Sequence, residues 1–283
     1  MKKNRVLIIF LFAAVINIPS LMAQSLRGQS INGSTGLYSL PSGLIGWENS
    51  GNLGIDFGYR AVINNDEGVT QIPALTISLF NWVEISSAFD FQPALNEDKK
   101  LKNSDLLLGI KFKLPTNVSN SKNPGVVLGG NVQIINIIND DYRYFAYQPY
   151  VAITYAGSFF DMSAETTVVF GKTFYSGGPQ NNSNIDFGMG FDLVLFPDVF
   201  KDFVHWIIDF ANFSYSDNSW PNNMYYHTPA WYRGVLNTGF RIDLSAIPIF
   251  NKNKFLIDLV FNDLFDSEGR SFTAGAVFGF STP

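Results

Sequence analysis

The sequence predicts an all-β protein: a transmembrane antiparallel up-and-down β-barrel of about twelve strands in a bacterial outer membrane. Three features predict it: an export signal, a hydrophobic period of two in the rest of the chain, and an aromatic-rich, charge-poor composition. Aromatic residues make up 16 % and charged residues 15 % of the 283 residues. Soluble proteins average about 25 % charged residues. This composition suits a barrel with a lipid-facing band and aromatic girdles.

The export signal occupies residues 1–23. A basic start is followed by an apolar run from Val6 to Ile16, which is too short to cross a bilayer as a helix of about 20 residues. The sequence around Ala23 offers a cleavage site, so we expect the mature chain to begin at Gln24. An uncleaved amino-terminal anchor is the alternative.

The hydrophobic period predicts the strands. In a strand, successive side chains point to opposite faces, and segment 104–114 places one apolar set on a single face: Leu106, Leu108, Ile110, Phe112 and Leu114. Similar segments lie near 51–62, 71–80, 82–92, 104–114, 125–138, 145–157, 159–172, 183–196, 203–215, 231–243, 254–263 and 271–280. Several reach the 9–11 residues or so that a tilted strand needs to cross the hydrocarbon. A secreted β-sandwich is the alternative, but its strands are shorter.

The barrel is predicted to span residues 51–283. Both of its ends lie in the periplasm, so the short turns at Phe80–Trp82 and Ala156–Ser158 fall on the periplasmic side. Residues 24–50 precede the first strand and are rich in Gly and Ser. They form either a periplasmic lead into the barrel or a plug inside its lumen.

Alternation also predicts which charged residues line the lumen, because such residues cannot face hydrocarbon without a cost of roughly 2–4 kcal/mol. The candidates are Asp56, Arg60, Glu84, Asp90, Lys111, Lys113, Asp161, Glu165, Asp186, Asp192, Asp209, Arg233, Arg241, Asp243 and Asp258; Asp105 and Lys254 share these faces. They either brace the lumen through ion pairs or line a polar pathway. Acidic residues outnumber basic ones, which favours cations. A barrel of this size lies between filled and open barrels.

Catalytic and cofactor signals are weak. The chain has no cysteine and two histidines. His205 shares a strand face with Asp209, but the two lie roughly 13 Å apart along the strand. His227 falls in a long outer loop. No metal cluster, phosphate loop or nucleophile motif appears, so we expect no enzyme activity and no cofactor. The net charge of −5 gives no reason to expect nucleic acid as a partner.

The carboxyl-terminal segment 273–280 matches the polar-x-Gly-x-x-aromatic-x-aromatic pattern of a barrel's last strand. It resembles the signal that the barrel-insertion machinery recognises. We expect Gly275, Phe278 and Phe280 to carry that recognition, and the outer faces of the strands to contact outer-membrane lipid.

A second resemblance covers the beginning of the mature chain. The stretch Gly33–Ser42 reads Gly-Ser-Thr-Gly-Leu-Tyr-Ser-Leu-Pro-Ser, and is followed by Gly51–Gly54 and by Asn81–Glu84. These motifs resemble the start of YjbH-like outer-membrane proteins. The resemblance implies an outer-membrane barrel linked to exopolysaccharide export.

The sequence therefore predicts a porin-like channel or transport component that passes a polar solute or an envelope polysaccharide. The first alternative is a structural or surface-interaction barrel with a blocked lumen that uses its outer loops, and the last in order is an outer-membrane enzyme.

Overall fold

The structure is a computed structural model. It describes residues 27–47, 52–64, 68–92, 103–115, 124–135, 144–160, 162–176, 185–200, 202–212, 234–245, 247, 250, 253–265 and 270–282. The predicted export signal and His227 lie outside these residues. Among the described residues, no helix has the length and apolar character needed to cross a membrane.

Within the described residues, the fold comprises thirteen strands and one short helix. The strands are β1 (Leu53–Asn64), β2 (Gly68–Leu79), β3 (Val83–Gln92), β4 (Asn103–Lys113), β5 (Gly125–Ile135), β6 (Tyr144–Phe159), β7 (Met162–Gly171), β8 (Phe174–Ser176), β9 (Asp186–Val194), β10 (Val204–Ala211), β11 (Val235–Asp243), β12 (Lys254–Asn262) and β13 (Ser271–Thr282). The helix α1 (Pro197–Phe200) lies between β9 and β10.

The strands form one closed antiparallel barrel. Within β1 to β7 and within β9 to β13, each strand pairs with the next strand in sequence, and β7 pairs with β9. The barrel is closed by β1, which pairs with β13 along its whole length, from Leu53 opposite Thr282 to Asn64 opposite Ser271. The three-residue β8 pairs with β6 beyond the part of β6 that pairs with β7. Strands β7 and β8 therefore occupy one position, and the predicted fold, an antiparallel barrel of twelve strands, is confirmed.

The two faces of the strands differ as the alternation predicted. On β1, Phe57 and Tyr59 point outward and are 51 % and 48 % exposed, whereas Asp56 and Arg60 point inward and are 2 % and 1 % exposed. Outward aromatic pairs lie near both ends of the barrel, for example Phe57–Phe280, Phe159–Phe160, Phe170–Phe187 and Phe261–Phe272. An apolar outer surface between aromatic girdles is the surface that a bilayer covers.

Short turns occur at the end of the barrel where β1 begins and β13 ends, which is the end that the sequence predicts to face the periplasm. Phe80 and Asn81 both have positive φ, and the Trp82 N–H donates to the Leu79 carbonyl at 3.0 Å. This is the geometry of a two-residue type I′ hairpin turn. The turn predicted at Ala156–Ser158 is wrong, because these residues continue the β6 ladder and the chain reverses after Phe159.

Candidate functional site in the lumen

The predicted lumen residues lie on inward strand faces. Ten are buried: Asp56, Arg60, Glu84, Asp90, Lys111, Asp186, Asp209, Arg241, Asp243 and Asp258. Lys113, Glu165 and Asp192 are partly buried. Asp161 and Arg233 lie outside the described residues. The lumen is therefore lined by charges of both signs.

Four of these side chains, together with His205, form a continuous chain of ion pairs. Arg241 lies at its centre: its Nε donates to Asp258 Oδ1 at 2.7 Å, and its Nη1 donates to Asp192 Oδ2 at 3.2 Å. Arg60 Nη2 lies 3.7 Å from Asp258, and His205 Nδ1 lies 2.6 Å from Asp192. The chain joins β1, β12, β11, β9 and β10. Buried charges persist only when they are paired in this way.

Two glycines on β13 allow charges to meet across that strand. Gly275 lies between β1 and β12, and a Cβ placed there would be 2.7 Å from the Arg60 Cγ. A Cβ at Gly279 would collide with the Asp56 carboxylate. Because the carboxylate occupies this space, Lys254 Nζ reaches Asp56 Oδ2 at 2.8 Å. Ion pairs therefore join the first strand to β12 across the closing strand.

The lumen is filled by residues 27–47, which we name the plug. The plug is almost entirely buried. Two antiparallel bridges, Gln29 with Thr35 and Gly36 with Pro41, fold it into a compact loop. Its contacts with inward side chains of the barrel place it inside the lumen, which is one of the two arrangements that the sequence left open.

One ion pair of the wall holds the plug by its main chain. Glu84 accepts the N–H of Thr35 at 2.8 Å and that of Gly46 at 3.2 Å. Lys111 Nζ donates to the carbonyl of Thr35 at 2.9 Å and lies 3.5 Å from that of Ser42. Glu84 and Lys111 also pair with each other at 3.1 Å. This pair therefore binds both arms of the loop.

The two arginines of the ion-pair chain also bind plug carbonyls. Arg60 donates to the carbonyl of Gln29, and Arg241 Nη1 lies 3.4 Å from that of Gly36. The guanidinium groups thus pair with wall carboxylates and satisfy main-chain acceptors that would otherwise be buried without a partner.

The tip of the plug is fixed by Asp209. Its carboxylate accepts the N–H of Ser39 at 2.7 Å and the Ser39 hydroxyl at 2.9 Å. The neighbouring Tyr38 hydroxyl lies 2.7 Å from the Thr273 hydroxyl on β13. Burial raises the pKa of the Tyr38 phenol well above its usual range, which keeps this side chain neutral.

The two ends of the plug are held differently. Trp47 donates its Nε1–H to Asp56 at 2.8 Å, and its ring lies under the Lys254 ammonium at 4.8 Å. At the other end, Arg27 pairs with Glu165 at 3.2 Å, with side chains 19 % and 25 % exposed. The Arg27–Glu165 pair is partly open to solvent, which weakens an ion pair, whereas the Trp47 contact is buried, so the Trp47 end is the firmer anchor.

An apolar cluster inside the barrel was missed by reasoning from charge. The wall contributes inward side chains that include Ile72, Leu107, Val127, Tyr150, Val169, Ile207 and Val260. The plug contributes Ile31, Leu37, Tyr38 and Leu40. The wall part of this cluster could have been predicted, because these residues share the inward strand face with the charged residues. Their partners in the plug could not be predicted, because no local sequence pattern specifies them.

His205 has both ring nitrogens engaged. Nδ1 faces the Asp192 carboxylate at 2.6 Å, and Nε2 faces the carbonyl of Asp202 at 3.1 Å. A carbonyl and a carboxylate only accept, so the imidazolium form satisfies both contacts. Asp209, considered with His205 from the sequence, instead binds the plug tip.

A closed barrel with an apolar belt, two aromatic girdles and a charged lumen defines an integral outer-membrane β-barrel protein. The sequence matches no protein-family model and no curated protein.

Solved structures with a similar fold are outer-membrane proteins. The NanC porin has 9 % identity and a TM-score of 0.49, over 81 % of this chain and 100 % of that chain. The KdgM porin in complex with disordered oligogalacturonate has 9 % identity and a TM-score of 0.47, over 81 % and 99 %. At such low identity these similarities concern the fold alone.

Outer membrane phospholipase A from Escherichia coli is also similar, with 10 % identity and a TM-score of 0.38 over 81 % of this chain and 92 % of that chain. The expectation of no enzyme activity is therefore corrected, because the solved structures with a similar fold include an enzyme and the fold does not exclude enzyme activity.

Proposed function

We propose that the protein is a small outer-membrane channel for polar solutes whose lumen is gated by the plug. The observation that carries this proposal is that the plug fills the lumen through non-covalent contacts only. Charged wall side chains bind its main chain, and these contacts can break and re-form. Displacing the plug leaves a pathway lined by ion pairs.

The lining charges support a polar pathway with a preference for cations. On the described inward faces, acidic side chains outnumber basic ones: Asp56, Glu84, Asp90, Asp105, Glu165, Asp186, Asp192, Asp209, Asp243 and Asp258 against Arg60, Lys111, Lys113, Arg241 and Lys254. A lumen with excess charge of one sign concentrates counter-ions. We therefore expect the reversal potential in a salt gradient to shift toward the equilibrium potential of the cation.

The test is single-channel conductance in a planar bilayer. The mature protein, residues 24–283, is compared with a variant that lacks residues 24–50, and folding of both is checked by heat-modifiable migration in gels. We expect rare openings for the mature protein and persistent openings for the shortened one. Silence in both folded proteins contradicts the channel and favours a structural or surface-interaction barrel.

We also propose that the protein belongs among YjbH-like barrels and helps an envelope polysaccharide leave the cell. The stretch that carries the resemblance, Gly33–Ser42, is the part of the plug held by Glu84, Lys111 and Asp209. An oligosaccharide of the producing strain, added to one side of the bilayer, should interrupt the ion current. Unchanged current at millimolar sugar would refute this role.

A further proposal concerns assembly. The barrel-insertion machinery recognises β13 through Gly275, Phe278 and Phe280. Phe278 and Phe280 lie on the outer face with 40 % and 36 % exposure, where a partner can reach them. Phe280→Ala should lower the amount of folded barrel in outer membranes several-fold. Phe272→Ala, on the same face of β13 but outside the motif, is the matched control and should assemble normally.

A further inference from the structure

We propose that the lumen is a binding site for extended polypeptide. A glycine- and serine-rich segment with spaced aliphatic side chains, supplied by another chain, can take the place of the plug. This inference rests on the proposed function in one respect, since the plug must be able to leave the lumen.

The first support is that the wall recognises main-chain groups. Wall side chains bind plug carbonyls through Arg60 to Gln29, Thr76 to Gly33, Lys111 to Thr35 and Ser42, and Arg241 to Gly36. They accept plug N–H groups through Glu84 from Thr35 and Gly46, Asp209 from Ser39, and Thr154 from Gly43. Every polypeptide carries such groups, whereas a saccharide that bears only hydroxyl groups has no N–H and carbonyl series.

The second support is close approach between wall and plug. A Cβ at Gly58 would collide with the Gln29 side chain, and one at Gly188 would collide with Leu40. On the plug, a Cβ at Gly33 would lie 2.5 Å from the Ser87 carbonyl oxygen, and its φ of +87° favours glycine. The wall therefore makes room for the plug side chains Gln29 and Leu40 where it carries glycine, and it approaches the plug main chain so closely at Gly33 that only glycine fits there.

The third support is the apolar cluster. Leu37 and Leu40 of the plug pack with wall residues such as Val127 and Ile207, which are 0 % and 1 % exposed. An occupant that lacks apolar groups would leave these wall side chains uncovered, which is unfavourable in proportion to the exposed apolar area. Spaced aliphatic side chains on an extended chain supply this cover.

The experiment uses the full chain, folded with its plug in place. A protease site is inserted between residues 47 and 52, and cleavage after folding leaves the plug bound without a covalent link. A fluorescent peptide of residues 24–47 is then exchanged into the lumen, and its displacement by unlabelled competitors is followed by anisotropy. The competitors are the same peptide with Ser30, Ser34 and Ser42 changed to Gly, the peptide N-methylated at Thr35, Ser39 and Gly46, and maltohexaose.

We expect the glycine-substituted peptide to compete within about tenfold of the original, because its main-chain groups are intact. N-methylation removes three N–H groups that donate to carboxylates, so that peptide should compete at least roughly a hundredfold less well. Maltohexaose should not compete. Barrels with Asp209→Asn should bind the peptide more weakly. Barrels with Asp186→Asn, where the carboxylate contacts Gln148 and Thr173 of the wall, should bind it unchanged.

Equal competition by the N-methylated peptide, displacement by maltohexaose, or a complete lack of peptide exchange would overturn the inference. Conductance of the cleaved barrel, measured after its plug is washed out, distinguishes failure of the polypeptide site from failure of the channel. A current that peptides do not block contradicts only the polypeptide site. Peptide exchange without any current contradicts only the channel.

Discussion

Replacing Gly275 by alanine tests whether contacts across β13 stabilise the closure of the barrel between β1 and β13. The new Cβ would lie 2.7 Å from the Arg60 Cγ, so the arginine must move. Arg60 and Asp258 are 1 % and 2 % exposed, and breaking such a buried pair costs about 3–5 kcal/mol. Replacing a strand glycine by alanine stabilises the folded state by about 0.5–1 kcal/mol, because glycine loses more conformational entropy on folding. The net loss in free energy of unfolding should be about 2–4 kcal/mol.

The assay is urea unfolding of the barrel in lipid vesicles, followed by tryptophan fluorescence. Gly130→Ala is the matched control: Gly130 lies in β5, and its new Cβ would meet only the Gln148 carbonyl oxygen at 4.0 Å. A double-mutant cycle with Arg60→Ala isolates the collision. Equal stability of Gly275→Ala and Gly130→Ala, or an undiminished cost of Gly275→Ala without Arg60, would refute the reasoning.

Two further predictions concern the plug. Asp209→Asn should raise the frequency of channel openings, because the tip loses a charged acceptor for the Ser39 N–H and hydroxyl, worth about 1.5–3 kcal/mol; Asp186→Asn is its control, and equal opening frequencies would count against plug gating. Trp47→Phe removes the Nε1–H donor to Asp56 but keeps a ring near the ammonium, so proteinase K added from the periplasmic side should cleave the plug faster. Unchanged cleavage would show that this contact does not anchor it.

The strands could be predicted from the sequence because alternation is a local signal. The segment predicted at 104–114 is β4 at Asn103–Lys113, and the one at 254–263 is β12 at Lys254–Asn262. The turn predicted at Ala156–Ser158 was misplaced by a few residues. In the barrel, Gly157 pairs with Ala164 inside the ladder.

The contents of the lumen could be predicted only in part. Inward charges follow from the same alternation, but their partners lie on other strands or in the plug, many residues away. Thr35 and Glu84 are 49 residues apart, and Ser39 and Asp209 are 170 residues apart. No local pattern specifies such pairs. A plug without regular strand or helix periodicity could therefore not be distinguished from a periplasmic lead.

The most direct test of gating is a reversible lock on the plug. The chain has no cysteine, so Ser39→Cys with Asp209→Cys introduces the only thiol pair, at a position where the native Ser39 Oγ and Asp209 Oδ1 are 2.9 Å apart. Conductance of the oxidised protein is recorded in a planar bilayer, and a reductant is then added to the same membrane. Plug gating predicts silence before reduction and current steps after it. Identical steps before and after reduction, or lasting silence from folded, reduced protein, would contradict it.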